Sequence, residues 1–383
     1  MPNDQVVLYA VGDVGPDRGD PDVLFESAGD VLRSGDMAFC QLEVSLTDRG
    51  TRLPQARHTV RTSPDAAKAL RRAGFTVVSW AGNHCMDWGT EGFQDTVDAL
   101  TGEGITVPGV GPDIRTARRP RIVEANGTRV AFLAYSSILP MNYWADDRRP
   151  GCAPMRAFTV YEQVEHDQPG TPARVHTYPH RDDLRALQAD IAAARAEADA
   201  VVVSMHWGVH FVPAVLADYQ RDVAHAAIDA GADVILGHHA HLLKGVEVYR
   251  GCPVFYSLGN FAIDLRMTPE LATGSGFREI QRLNPEWRVD YDTTHCFPPD
   301  SHKSVIARCE FAGGALRRVS VLPVQVSRWT RPEPLAPADP RFGEVAGYLE
   351  RVSADQGLGT VFRRDGAEVV IEGAGTGGRA QRR

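Results

Sequence analysis

The sequence predicts an α/β fold on three observations. Short apolar runs bounded by turn residues recur along the chain, helical patterns lie between several of them, and polar or metal-capable side chains follow the runs directly. The runs cover 6–11, 37–42, 76–80, 130–135, 200–204 and 233–236, each short enough for a buried strand. Helical patterns occupy 64–73, 90–100, 181–198 and 217–230. The last starts after Pro213 and stops at Gly231, a residue suited to a left-handed helix end. Strands alternating with helices place reactive residues on loops at strand ends. Further on, 245–249, 253–258, 304–311 and 316–323 are strand-like with few helices between them, which predicts a second, more antiparallel half of the core.

Two regions break this rhythm. Residues 140–180, with NYWADDRRPGCAP and QPGTP, read as a loop-rich insertion longer than a normal connection, placed to select substrate or to run over the surface. Residues 267–300 are similarly irregular. The predicted organisation is one main domain over 1–330, a C-terminal helix and strand elaboration over 331–372, and a disordered tail, GAGTGGRAQRR, over 373–383.

Composition excludes several classes of function. With 383 residues, 43% of them hydrophobic and 23% charged, the chain is of globular type and long enough for a large core. Its net charge of −8 argues against a nucleic-acid partner, because phosphate-backbone surfaces are basic. No stretch reaches the roughly 20 apolar residues of a membrane span, and the first residues lack a basic segment followed by an apolar one. A soluble cytoplasmic protein is the expectation. Six scattered cysteines without a CxxC pair predict reduced thiols rather than a zinc knuckle or a disulfide scaffold.

The residues with chemical potential recur at the ends of the apolar runs: GDVG at 12–15, QLE at 41–43, AGNHCMDWG at 81–89, SMHWG at 204–208 and LGHHAH at 236–241. They supply carboxylates, an amide and imidazoles, a mixed oxygen and nitrogen set suited to Mn, Fe, Co, Ni or Zn. HHAH is the most informative, since three histidines crowd four positions, and His239 and His241 share one side if the segment is extended. Taken singly the signals are weaker: Asp13 reads equally as a turn or helix cap, Glu43 as an exposed acid, and Asn83-His84 as a turn pair. Asp87 suits the cap of the helix that follows or an orienter for His84, and His238 reads as a loop residue or as support for the site. Arg148 and Arg149 are candidates to meet an anionic group.

In this order, with FYSLGNF following, these segments resemble the CapA-like (poly-γ-glutamate capsule synthesis) branch of the calcineurin-like metallophosphatases. The resemblance runs over about 6–264 and is most specific in GNHCMDWGTEGFQDTVDAL at 82–100 and GVEVYRGCPVFYSLGNFAID at 245–264. It implies a four-layer α-β-β-α sandwich with two divalent ions at strand ends. Asp13, Glu43, Asn83, His206, His239 and His241 would be the ligands, Glu43 the bridge, and His84 an acid or phosphate-stabilising catalytic residue. The chain departs from the pattern in three places: Gly15 stands where the wider group has the histidine of Asp-x-His, Glu43 stands where it has Asp, and Gln41 replaces the usual Asn of NLE. A weakly held first metal follows as an expectation.

The resulting functional expectation is a metal-dependent hydrolase of a phosphoester or related polar ester or amide. The alternatives are an enzyme that makes, transfers or processes a γ-glutamyl amide or polymer, and a non-catalytic scaffold that keeps the fold. The expected partner is a small-molecule or γ-glutamyl substrate.

Overall fold

The computed structural model describes residues 5–375. Alternation along the strands explains how its layers assemble. In Gln5–Gly15, Val6, Leu8 and Ala10 face one way and Tyr9 and Val11 the other, and both sets are buried, so this strand must be covered on both faces. It lies inside a nine-stranded sheet in the order Phe362–Asp365, Glu368–Ile371, Ala315–Val326, Lys303–Ala312, Gln5–Gly15, Met37–Leu42 and Val77–Ser79. Asn260–Ile263 runs beside Gln5–Gly15, and Pro332–Pro334 beside Ala315–Val326. A six-stranded sheet runs Val246–Tyr249, Cys252–Phe255, Val234–His238, Ala200–His206, Thr128–Ser136 and Arg121–Ala125.

The two sheets face each other. Leu8, Phe39 and Val77 from the first meet Phe132, Val202 and Leu236 from the second in one buried cluster, with the Phe39 and Phe132 rings stacked at 6.2 Å. On the outer face of the first sheet, helices Ala66–Ala73 and Gly89–Gly102 bury Leu70, Phe93 and Leu100. On the outer face of the second, Arg181–Glu197 and Asp218–Asp229 bury Leu187, Ile191 and Val223. This is a four-layer α-β-β-α sandwich.

The later strands do not form a half of their own. Lys303–Ala312 pairs antiparallel with Gln5–Gly15 in the first sheet, whereas Val246–Tyr249 and Cys252–Phe255 make a hairpin at the edge of the second. The second sheet thus has a parallel centre with an antiparallel strand at each edge, whereas the first is parallel from Gln5–Gly15 to Val77–Ser79 and antiparallel over the rest. The 331–372 elaboration likewise joins the sandwich: Val321 pairs with Val369, and helix Pro340–Asp355 buries Phe342, Val345 and Leu349 in the inter-sheet core. The insertion contains a hairpin, Ala157–Glu162 with Arg174–Pro179, which loop composition alone did not predict. Of the predicted tail, 373–375 form a turn with Ala374 buried, and the rest lies outside the described residues. No helix among the described residues is long and apolar enough to cross a membrane.

Candidate metal centre

The parallel strands of both sheets end at the same side of the sandwich, where the polar segments converge. Asp13 gets there through a break in register. Ala10 pairs with Phe39 but Asp13 with Gln41, an irregularity that turns the strand end and re-aims its side chain. The turn is held because the Asp13 N–H donates to the Gly259 carbonyl at 2.9 Å. That approach needs glycine at position 12, where a β-carbon would stand 1.9 Å from the same oxygen. His239 and His241 sit in left-handed backbone, at φ 84° and 55°, conformations that cost energy for residues with a side chain. The His239 N–H points to Oδ2 of Asp13 at 3.3 Å. Strain concentrated here shows a loop shaped for its side chains.

The geometry separates into two sides. On one, Nδ1 of His206 lies 3.1 Å from Oε1 of Glu43, both side chains almost completely buried. Nε2 of His206 donates to Oδ1 of Asn83 at 2.6 Å, which leaves the Nδ1 of a neutral ring with a lone pair. A carboxylate oxygen and an imidazole lone pair therefore face each other, neither with a hydrogen-bond partner. Such a pair requires a cation or a proton. The His239 ring lies 4.9 Å from that of His206, and its Nδ1 is likewise unpartnered. On the other side, Nδ1 of His238 lies 3.2 Å from Oδ1 of Asp13, and Nδ1 of His241 lies 3.6 Å from Oδ2. Asn260 accepts from Nδ1 of His241 at 2.9 Å, which leaves Nε2 as that ring's free donor atom. Ligand atoms of Asp13, Glu43 and His206 come within 4.8 Å of one another.

Electrostatics fits the same reading. Burial, with Asp13 and Asp87 nearby, pushes the Glu43 carboxyl well above the usual range. Burial and neighbouring imidazoles hold His206 and His239 well below the ordinary histidine value, in the neutral form a metal requires. His210, packed 5.2 Å from His239, is pulled down to about 4, by burial first and then by His241 and Lys244.

His84 occupies the outer side of the cluster, its side chain 18% exposed and its Nε2 3.7 Å from Oε2 of Glu43. Nδ1 contacts Asp87 at 2.7 Å, and the Tyr143 hydroxyl donates to the other oxygen of Asp87 at 2.7 Å. Asp87 thus orients His84, and the insertion reaches the site through Tyr143. Arg149 donates to Asn142 and to the Trp144 carbonyl within its own loop, and Arg148 is exposed, its backbone N–H donating to Asp146. Asn83 lies on His206, and its oxygen keeps a second lone pair toward the cluster.

The residue types present, carboxylate, imidazole and amide without thiolate, fit the binding of a divalent metal ion. Sequence reasoning passed over Tyr143 and His210 and took Asn260 as strand and loop structure behind the site. Asn260 had a signal, as the polar residue that ends SLGN, but nothing local relates it to His241. Aromatic rings close one flank: Phe211 stacks on His241 at 5.1 Å, and Phe297 lies 5.2 Å from it.

The chain is similar to several known proteins. The family model described as "Bacterial capsule synthesis protein PGA_cap" matches residues 7–265. "PGA biosynthesis protein CapA" of Bacillus subtilis is 29% identical over 245 residues, covering 63% of this chain and 57% of that protein. "Capsule biosynthesis protein CapA" of Bacillus anthracis is 28% identical, over 68% of this chain and 61% of that one. The chain therefore spans about three fifths of these two relatives. A "Probable polyglutamine synthesis accessory protein" of Mycobacterium tuberculosis is 30% identical over 88% of this chain and 78% of its own length. Among solved structures, the calcineurin-like phosphoesterase YfkN of Bacillus subtilis aligns over 92% of this chain and 98% of that chain, at 11% identity and a TM-score of 0.37. With its family model spanning both sides of the candidate centre, from Asp13 to His241, the chain belongs to the bacterial capsule synthesis protein PGA_cap family.

Proposed function

We propose that this protein is a metal-dependent hydrolase of a phosphoester or a related polar ester or amide, acting at a dinuclear centre. The observation that carries the reading is the Glu43–His206 pair, two buried side chains whose facing atoms lie 3.1 Å apart, neither with a hydrogen-bond partner. Two donor atoms on one ion, with bonds of about 2.0–2.2 Å, lie roughly 3.0–3.4 Å apart at tetrahedral or octahedral angles. Asp13, Glu43, Asn83, His206, His239 and His241 would hold the ions. Divalent ions held there supply Lewis acidity and lower the pKa of a water nucleophile.

The chain itself does the rest. Asn83 and Asn260 fix the tautomers of His206 and His241, leaving the lone pair on Nδ1 of the first and on Nε2 of the second. His84, oriented by Asp87, stands at the open side to give a proton to a leaving group or to steady developing charge. Phe211 and Phe297 cover the His241 flank with apolar surface.

The names of the relatives, which speak of PGA and capsule biosynthesis and of polyglutamine synthesis, favour a second reading, an enzyme that makes, transfers or processes a γ-glutamyl amide or polymer. Two measurements test these readings. Elemental analysis after incubation with Mn, Fe, Co, Ni or Zn and gel filtration should find close to two ions per chain; none would end both enzymatic readings and favour the scaffold. The loaded protein is then assayed on aryl phosphates, phosphodiesters and γ-glutamyl peptides, and turnover of the peptides alone would select the second.

The His84–Asp87 contact carries its own prediction. His84→Ala should lower kcat by about 100-fold to 10,000-fold with bound metal unchanged. Because Asp87 acts through His84, the double variant with Asp87→Asn should be no slower than His84→Ala alone, whereas independent roles would give additive losses.

A further inference from the structure

We infer that His238 is itself a metal ligand and that, with Asp13, it forms one half of the centre. This rests on the dinuclear reading above and adds to it a residue that sequence reasoning assigned to the loop or to support. His238 ends strand Val234–His238 directly beside His206 at the end of the neighbouring strand, and their Cα positions are paired in register. Side chains at paired positions leave a sheet on the same face, so the two imidazoles enter the inter-sheet layer side by side. His206 meets Glu43 there, and His238 meets Asp13.

The two meetings have the same form. Nδ1 of His238 is 3.2 Å from Oδ1 of Asp13, as Nδ1 of His206 is 3.1 Å from Oε1 of Glu43. In neither pair do the facing atoms have a hydrogen-bond partner. Both separations fall in the range of roughly 3.0–3.4 Å for two donors on one ion. His238 is also more isolated than His206. Its side chain is fully buried, it packs 5.8 Å from the Phe39 ring, and neither ring nitrogen has a partner. A buried imidazole held only for packing against Phe39 would leave both its donor and its acceptor unmet beside a carboxylate.

An imidazole for the Asp13 side has no other nearby source on the first strand. Residue 15 is glycine, and a β-carbon there would stand 3.0 Å from Cγ1 of Ile263 and 3.6 Å from Cβ of Glu43, so Ile263 already takes that room. His238 enters from the opposite sheet.

The test uses Co2+ with the full chain, comparing wild type, His238→Gln and His238→Cys. Wild type should bind two ions, and in His238→Gln the affinity for one of them should fall by at least about 100-fold while the other is kept, which also reports a folded protein. His238→Cys, which restores a donor atom, should recover the second ion and show a thiolate-to-cobalt charge-transfer absorption absent from wild type. Two ions bound to His238→Gln with wild-type affinity, or a His238→Cys protein without that absorption, overturns the assignment. Wild type that binds no Co2+ overturns the dinuclear reading itself, before any variant is compared.

Discussion

Replacing Glu43 by Gln is expected to leave the protein without turnover and yet more stable once metal has been removed. The carboxylate lies 3.1 Å from His206 and 3.7 Å from His84, with its side chain 1% exposed. Loss of a group that merely orients a ligand costs about 10-fold to 100-fold in metal affinity or activity. Loss of the central carboxylate should exceed that range, and elemental analysis should find fewer than two ions per chain. The stability effect follows from linkage. Burial, then Asp13 and Asp87, raise the Glu43 pKa in the metal-free protein. Between its unfolded and folded values the native state therefore holds more protons than the unfolded chain, and stability falls as pH rises through that window. The buried histidines have the opposite sign, losing stability as pH falls below the ordinary histidine value, so the comparison must be made between variants. With chelator present, the unfolding midpoint of Glu43→Gln minus that of wild type should grow as pH is raised from the carboxylate range. With metal present, wild type should be the more stable. A difference that stays flat with pH would show that Glu43 is not the buried, proton-holding group described here.

Gly12→Ala should damage the fold as well as the centre. The added methyl would stand 1.9 Å from the Gly259 carbonyl oxygen and 2.8 Å from its carbon, and both obstacles are backbone. Gly259 has little freedom to retreat, since it occupies a left-handed conformation at φ 71° and its oxygen receives the Asp13 N–H. The strand ends must separate, at a cost of about 3–5 kcal/mol, beyond ordinary overpacking. Because Asp13 follows directly, metal binding should weaken in whatever fraction remains folded. Gly19→Ala is the control: nothing lies within 4 Å of its added carbon, and a change within about 0.5 kcal/mol is expected. Denaturant unfolding of the two variants against wild type measures both effects.

These two positions differ in how visible they are in the sequence. Glu43, like Asp13, His206 and the HHAH segment, follows a run of buried apolar residues, and a strand end is a local feature that periodicity reveals. The central strands were legible for the same reason: the 37–42 run is the strand Met37–Leu42, and the 200–204 run lies within Ala200–His206. The hairpin Ala157–Glu162 with Arg174–Pro179 was not, because it is exposed over most of its length and has no buried face to impose alternation. Asn260–Ile263 was obscured differently, as four wholly buried residues after a glycine turn, too few to show a period.

The sequence by itself determined the α/β class, the strand ends that carry the candidate ligands and most of their residue types, since each depends on residues within a few positions of one another. Tertiary structure alone decided how those groups face each other. Asn83 reaches His206 across 123 positions, Tyr143 reaches Asp87 across 56, and the side chain of His238 meets that of Asp13 only because two sheets pack face to face. Which nitrogen of a ring is free, and which carboxylate lacks a partner, are properties of those distant contacts, and no local pattern encodes them.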